Sequence, residues 1–504
     1  MGTTMTGTCP LPLLALLMAI PLGTALLCLT CRRRPAAAKI LALVGSLTVL
    51  LLAAACFVLL PAEPGWLLRE DYRWIPALGI RFSLGLDGLS LLMVLLTSLL
   101  SVLAVGLSWN EENRPGTYFA LLLLVESGVL GVFLALDLVL FYICWELMLL
   151  PLFFLVGIWG QRGGVAAAMK FFLFSLAGSL LMLLAIIALY VLHGQQTGDY
   201  SFALAALQHT GLSPALAPWL FAGFALAFLI KVPLVPLHSW QADAYSAAPA
   251  ACSLLLAGVL AKTGLYGLVR FALPLFPTVA QSALPLLAIL ALVGILYGGW
   301  IASAQRDLKR LVAYSSLAHL GFIVLGLSAW TTTAAEGALL QMANHGLTTA
   351  ALFILIAFIE QRTGSRQLDE LGGLWSRVPK LSALLLFFSL AALGLPGLNN
   401  FVGEILILLG TFAVQPLYAA LAVLGLLLAA IYMLHLVQKT IWGPCQTAQS
   451  WPDLGLREWL LLIPLAVLVL WLGFYPETFL EPLRGPAQLL LNGAAPLSLS
   501  GGLP

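Results

Sequence analysis

The chain has 504 residues, 62% of them hydrophobic and 9% charged, with a net charge of +2. Soluble domains are about 45–50% apolar and about 25% charged, so a soluble globular chain is excluded. With so few charges there is no basic surface for nucleic acid and no acidic tail.

Apolar windows long enough to cross a bilayer lie near 11–30, 40–61, 85–108, 117–136, 138–159, 168–192, 215–237, 247–271, 284–304, 311–329, 336–359, 380–413, 416–438 and 458–480. They predict an all-α polytopic membrane protein of about 14 transmembrane helices. No stretch alternates in the manner of a membrane barrel strand. The first window is not a secretory signal, because Met1–Pro10 carries no positive charge and Arg32-Arg33-Arg34 follows the apolar core instead of preceding it.

That polarity predicts an outward N-terminus and cytoplasmic arginines. Carried along the chain, it places Arg32–Arg34, Lys39, Arg114, Arg162, Lys170, Arg306, Lys309, Arg310, Arg362, Arg366, Arg377, Lys380, Lys439 and Arg457 inside. Only Arg69, Arg73, Arg81, Arg270 and Arg484 fall outside. The bias supports this register of helices and an outward C-terminus. The seven cysteines are scattered, and Cys28-Leu-Thr-Cys31 is a lone CxxC with no second pair. No metal site and no cofactor-binding residue is expected in the chain.

The seventh window carries Lys231 and breaks at once over Pro233 and Pro236; His238-Ser-Trp240-Gln241-Ala-Asp243 follows, and the next window carries Lys262. A charge at bilayer depth costs about 2.5–3.5 kcal/mol on insertion scales. Prolines beside it free backbone carbonyls that only a protein-lined or watery cavity can satisfy. A broken helix with an ionisable residue at the break is the signature of an ion pathway. The twelfth window breaks at Gly394-Leu-Pro396-Gly397-Leu-Asn399-Asn400 and then carries Glu404.

Residues 1–504 thus read as one membrane domain. Helices 1–3 occupy 1–116, a first five-helix repeat (helices 4–8) occupies 117–271, and a second (helices 9–13) occupies 284–438. The repeats are expected to be inverted, each with one broken helix; a last helix and tail fill 439–504.

Ionisable residues inside the windows are Glu126, Glu146, Lys231, Lys262, His319, His345 and Glu404. Burial disfavours the charged form of such groups and an opposite charge favours it. Making or breaking a Glu146–Lys231 pair would therefore switch whether a proton is held. His319 and His345 suit a relay because histidine titrates near neutrality. Lys170, Glu126 and His238 are further candidates, against snorkelling, helix pairing and packing as the plainer roles. No phosphate-cradling loop, dinucleotide fingerprint or catalytic constellation competes.

Several motifs carry a resemblance. Gly131-Val-Phe-Leu-Ala-Leu-Asp137, Phe141-Tyr142…Trp145-Glu146…Pro151, Lys170-Phe-Phe-Leu-Phe and Pro236-Leu-His238-Ser-Trp240…Asp243 are four of them. Leu256-Ala-Gly258-Val-Leu-Ala-Lys262…Tyr266-Gly267, Asp307-Leu-Lys309-Arg310…His319-Leu-Gly321 and Asn400-Phe-Val-Gly403-Glu404 are others. Together, over about 85–440, they resemble the antiporter-like membrane subunits of respiratory complex I, the proton-translocating NADH:quinone oxidoreductase. Glutamate at 404 and the absence of a long lateral helix resemble the M-type chain. The sequence departs at Gln241-Ala242, where that family commonly has Leu-Pro, and at Tyr245, where it commonly has His.

The resemblance implies a charged axis of Glu146, Lys231, Lys262 and Glu404, lined by His319 and His345. It implies proton translocation coupled to redox chemistry elsewhere, with NADH, FMN, iron–sulfur clusters and quinone in partner subunits. Implied partners are neighbouring antiporter-like subunits, lipid and protons, in a bacterial inner membrane. Two other functions use the same fold: the D-type subunit of a multisubunit cation/proton antiporter, and the membrane subunit of a proton-pumping hydrogenase. An inert scaffold would not need four charges at bilayer depth.

Overall fold

The computed structural model describes residues 12–31, 34–60, 65–443 and 451–491. The predicted sites of Arg32, Arg33, Cys9, Cys445 and both chain ends lie outside the described residues. Twelve helices among the described residues are long and apolar enough to cross a membrane. In chain order they include α1 (Leu13–Thr30), α2 (Pro35–Leu59), α3 (Gly88–Leu107), α4 (Pro115–Leu134), α5 (Leu138–Trp159) and α6 (Gly164–Thr197).

The seventh window holds a shorter helix, α7 (Ala217–Lys231), and α8 (Ala250–Leu275) follows. Next come α9 (Pro277–Ser303), α10 (Leu308–Ser328) and α11 (Thr332–Thr363). The twelfth window is split into α12 (Pro379–Ala392) and α13 (Asn399–Phe412). The chain ends with α14 (Pro416–Trp442), α15 (Leu456–Phe474) and α16 (Glu477–Leu491), the last unmarked by any hydropathy window.

Helix starts follow from local chemistry. Proline opens α2, α4, α9, α12 and α14, where its missing N–H is no loss. Asp137 caps α5 by accepting from Val139 N at 2.9 Å and Leu140 N at 3.2 Å, so one aspartate cuts a long apolar run into two helices. Asp307 caps α10 in the same way through Arg310 N at 3.1 Å.

The stretch near 62–84, which hydropathy marks only as a gap, holds an antiparallel hairpin, β1 (Leu68–Ile75) and β2 (Ile80–Leu86). It works as a cap. The Glu70 carboxylate accepts from Leu14 N at 2.7 Å and Ala15 N at 3.1 Å, satisfying amides at the start of α1.

Burial separates inner from outer helices. The central windows of α8 and α11 are 100% buried, whereas those of α1 and α15 are 28% buried. Small residues let the inner helices touch: a Cβ on Gly346 would lie 2.8 Å from Gly258 O, and one on Gly337 2.9 Å from Gly403 O. Basic residues gather at two ends. At one, Lys170 and Arg310 pair with Asp243, Arg366 with Asp307, and Arg362 with Glu458. At the other, Arg81 pairs with Asp71 on the hairpin, and Arg270 with Asp87 at 2.5 Å.

The Asp87–Arg270 pair is buried, and Asp87 also caps α3 through Ser90 N at 2.9 Å. Asp87→Ala is expected to cost about 3–5 kcal/mol, as removal of one partner from a buried pair does. Arg484→Ala, in an exposed pair, should cost under about 1 kcal/mol. Thermal unfolding of the two variants side by side checks the difference; equal midpoints would contradict it.

Candidate functional site

The two breaks have the same backbone design. At the first, Leu234 N donates to Leu229 O at 3.0 Å and Leu237 N to Leu234 O at 2.6 Å. At the second, Leu395 N donates to Leu390 O and Leu398 N to Leu395 O, both at 3.1 Å. Trp240 Nε1 adds a bond to Ile230 O at 2.9 Å, which occupies a carbonyl freed by the first break. Left-handed backbone marks the second turn, at Gly394 (φ 80°) and Gly397 (φ 90°).

Lys262 sits between two π turns, Leu256–Leu260 and Leu268–Ala272, inside α8. A π turn displaces carbonyls from the usual helical ladder. Lys262 Nζ uses one of them, Ala257 O, at 2.7 Å, and lies 2.7 Å from His345 Nδ1 on α11. The His345 and His319 rings are 5.7 Å apart. His319 Nδ1, on α10, lies 2.9 Å from Glu404 Oε1 on α13. Four residues from four helices thus form one buried file, Lys262–His345–His319–Glu404, each under 4% exposed. Both histidine Nε2 atoms are buried without a protein partner.

A polar belt surrounds the Glu404 end. Gln341 Nε2 donates to Glu404 Oε1 at 3.2 Å, Asn344 Nδ2 to Asn399 O at 2.8 Å, and Asn399 Nδ2 back to Asn344 O at 2.9 Å. Composition-based reading passed over Gln341 and Asn344. Their signal is nonetheless present: positions 341, 344, 345 and 348 are polar at helical spacing in an apolar helix, so one face is polar.

Lys231 stands apart from this file. Its Nζ lies 3.3 Å from Ser175 Oγ, 5.0 Å from the Phe171 ring centroid and 5.4 Å from that of Trp145. The expected Glu146–Lys231 ion pair is open here. Glu146 stands beside Tyr142, one carboxylate oxygen is buried without a partner, the residue is half-buried, and its charge acts on Lys231 from beyond ion-pair distance.

The other candidates lie off the file. Glu126 is buried on α4 and accepts from Ser46 Oγ of α2 at 2.9 Å. Lys170 pairs with Asp243 at 2.8 Å, and Arg310 reaches the other Asp243 oxygen at 3.1 Å. Burial works to raise the Asp243 carboxyl, and these two cations outweigh it and hold it below the ordinary aspartate value. His238 packs its ring edge-on against Tyr297 at 5.1 Å. Among the described residues no three His, Cys, Asp or Glu side chains gather as metal ligands.

Residues 135–433 match the family model described as NADH:quinone oxidoreductase/Mrp antiporter, TM. NADH-quinone oxidoreductase subunit M of Pseudomonas aeruginosa is 45% identical over 473 residues, which cover 91% of this chain and 92% of that protein. A chain of respiratory complex I from Thermus thermophilus with bound NADH superposes with a TM-score of 0.86 at 35% identity, covering 95% of this chain and 99% of that one. A chain of the Mrp complex from Dietzia sp. DQ12-45-1b shares the fold, with a TM-score of 0.84 at 23% identity over 95% and 97% of the two chains. The chain belongs to the antiporter-like membrane subunits of NADH:quinone oxidoreductase, in the subunit M branch.

Proposed function

We propose that this chain moves protons across a bacterial inner membrane along Lys262, His345, His319 and Glu404, driven by redox chemistry in partner subunits. The observation that carries the reading is the buried file from a lysine to a carboxylate through two neighbouring imidazoles. NADH, flavin, iron–sulfur and quinone chemistry belongs to the partners; this chain contributes proton sites. The sequence relation to subunit M at 45% identity, against 23% for the Mrp chain, favours the oxidoreductase over the antiporter.

Each link of the file can hold or pass a proton. Lys262 is held by a carbonyl and an imidazole, both neutral, so losing its proton leaves no counter-ion stranded. The imidazoles accept at one nitrogen and donate at the other. Their unpartnered Nε2 atoms suit a bridging water across the 5.7 Å gap. Glu404, among Gln341 and Asn400, receives the proton at the second break.

Glu146 and Lys231 act upstream as a switch. Closed, the pair keeps the proton on Lys231; open, as here, Glu146 acts on the lysine only from beyond ion-pair distance, and the near neighbours of the amine are Ser175 and two aromatic faces. The basic end that carries Lys170, Arg310 and Arg366 is the cytoplasmic one by the positive-inside rule, and both termini face outward. Helices 4–8 and 9–13 are inverted repeats. The recurring break bonds and the matching caps Asp137 and Asp307, at opposite ends of the molecule, support this.

Glu404→Gln keeps the shape and removes titration. The assembled complex in liposomes should lose about tenfold or more of its pumping rate, on the scale of removing one proton-transfer group; wild-type pumping would take Glu404 off the route. Gly394→Ala tests the same carboxylate by geometry, since its Cβ would lie 2.7 Å from Glu404 Oε2 at a φ that alanine rarely adopts. It should mimic Glu404→Gln.

Lys231→Ala should stop pumping, whereas Glu146→Asp, with the charge retained at shorter reach, should keep part of it. Normal pumping by Lys231→Ala alongside failure of Glu146→Gln would refute the switch. For sidedness, single cysteines placed at Arg306–Arg310 should react with impermeant thiol reagents only in inside-out vesicles.

A further inference from the structure

The file from Lys262 to Glu404 needs a source of protons, and Lys231 makes no hydrogen bond to it. Beside the first break the short helix Gln241–Ala247 turns back into the protein. Two of its side chains point inward and are almost wholly buried, Gln241 at 1% exposure and Tyr245 at 0%. Tyr245 donates its hydroxyl hydrogen to Leu256 O at 3.0 Å. Leu256 is the first residue of the π turn whose next carbonyl, Ala257 O, holds Lys262 Nζ at 2.7 Å. The tyrosine hydroxyl and the lysine amine thus occupy adjacent carbonyls of one turn.

Gln241 faces the same hydroxyl. Apart from this loose approach to the hydroxyl, neither its Oε1 nor its Nε2 closes a hydrogen bond to protein. A buried carboxamide with both ends unpaired is costly and rare in folded proteins unless water satisfies it. On the outer side, the same short helix carries Asp243, about one-third exposed, between Lys170 and Arg310. One seven-residue helix therefore runs from a solvated ion cluster, past an unpaired buried amide, to a hydroxyl beside Lys262.

Resting on the proton-translocation reading above, we infer that Gln241 and Tyr245 form a hydrated inlet that loads Lys262 directly from the Asp243 end without passing through Lys231. In this step an excess proton arriving from the Asp243 end as a protonated water passes to the Tyr245 hydroxyl oxygen and leaves neutral water behind, as the hydroxyl's own proton leaves, through one bridging water, for the neutral Lys262 amine. Tyrosine is unchanged, lysine becomes the ammonium, and rotation of the O–H back to Leu256 O resets the relay. Gln241 carries no proton; it orients the water. The tyrosine ring is held separately by Trp240 and Phe353, packed edge-on at 6.3 and 6.1 Å, so the hydroxyl can be removed without disturbing the packing.

The test uses the whole complex in proteoliposomes and reads the initial rate of NADH-driven proton uptake. Tyr245→Phe is expected to slow pumping about fivefold or more, with Gln241→Leu slowed in the same direction. Tyr245→His should restore transport with a new titration near neutral pH, which a purely structural role would not produce. Lys262→Ala, the control for the underlying reading, should stop pumping. If Lys262→Ala is inactive while Tyr245→Phe or Gln241→Leu pumps like the native complex, the inlet is refuted and the proton reading stands. If Lys262→Ala itself pumps normally, the proton reading fails and takes the inlet with it. Equal loss in Tyr245→Phe and Tyr245→His with an unshifted pH profile would assign Tyr245 to packing and overturn the inlet.

Discussion

A charge in a dry helical core must be stabilised by something nearby, and the choice of partner decides whether its proton can move. This chain makes both choices within one helix. Arg270, near the end of α8, is closed on Asp87 at 2.5 Å and supported by Tyr266 at 3.0 Å. That pair is a lock, since opening it strands a buried charge on each side. Lys262, two turns earlier, has neutral partners instead, a carbonyl and an imidazole. When its proton leaves, nothing is stranded. The same helix therefore has an ion-paired end and a middle whose lysine has neutral partners, and Tyr266 separates the two by binding Phe133 O at 2.9 Å and Ser90 Oγ at 2.9 Å.

Backbone irregularity provides those neutral partners. An unbroken α-helix spends each carbonyl on its own ladder, so polar side chains at bilayer depth have little to bind. The π turns in α8 and the breaks after Lys231 and Ala392 release carbonyls at chosen depths. The two breaks use these releases differently. The acid that follows the first, Asp243, is at the molecular end among cations, while the acid that follows the second, Glu404, is buried against His319 and Gln341. One backbone design thus places an acid at the molecular end in one half and an acid deep in the core in the other.

Much of this was legible in the sequence, because cost is legible. Lys231, Lys262, His345, His319 and Glu404 stand out as expensive residues in apolar windows, and four of them are in one file. The breaks were visible as Pro and Gly inside those windows. What hydropathy could not show depends on helix rotation and on single backbone turns. Whether Glu146 closes on Lys231 is a question of helix rotation and side-chain reach, and here the carboxylate stands beside Tyr142, short of ion-pair contact with the lysine. The π turns leave no mark in a composition that reads as ordinary apolar helix. The hairpin was hidden because its strands are too short and too mixed in polarity to register.

The separation of Lys231 from the file bears on how a switch could act at a distance. Gly264 brings the backbone of α8 against the first break: a Cβ there would lie 2.6 Å from Phe228 O and 3.0 Å from Lys231 Cβ. Packing this tight leaves the lysine stem little room to slide along α8, so contact transfer by a large backbone shift is disfavoured. Charge can still communicate. At an effective dielectric of about 20, a unit charge on the order of 10 Å away changes a neighbour's energy by about 1.7 kcal/mol. Moving one charge through 100 mV costs about 2.3 kcal/mol. Gain or loss of one unit charge at Lys231 would therefore be comparable in size to that load. On the reading proposed above, Lys231 acts on Lys262 through its charge, so the two lysines need no shared hydrogen bond.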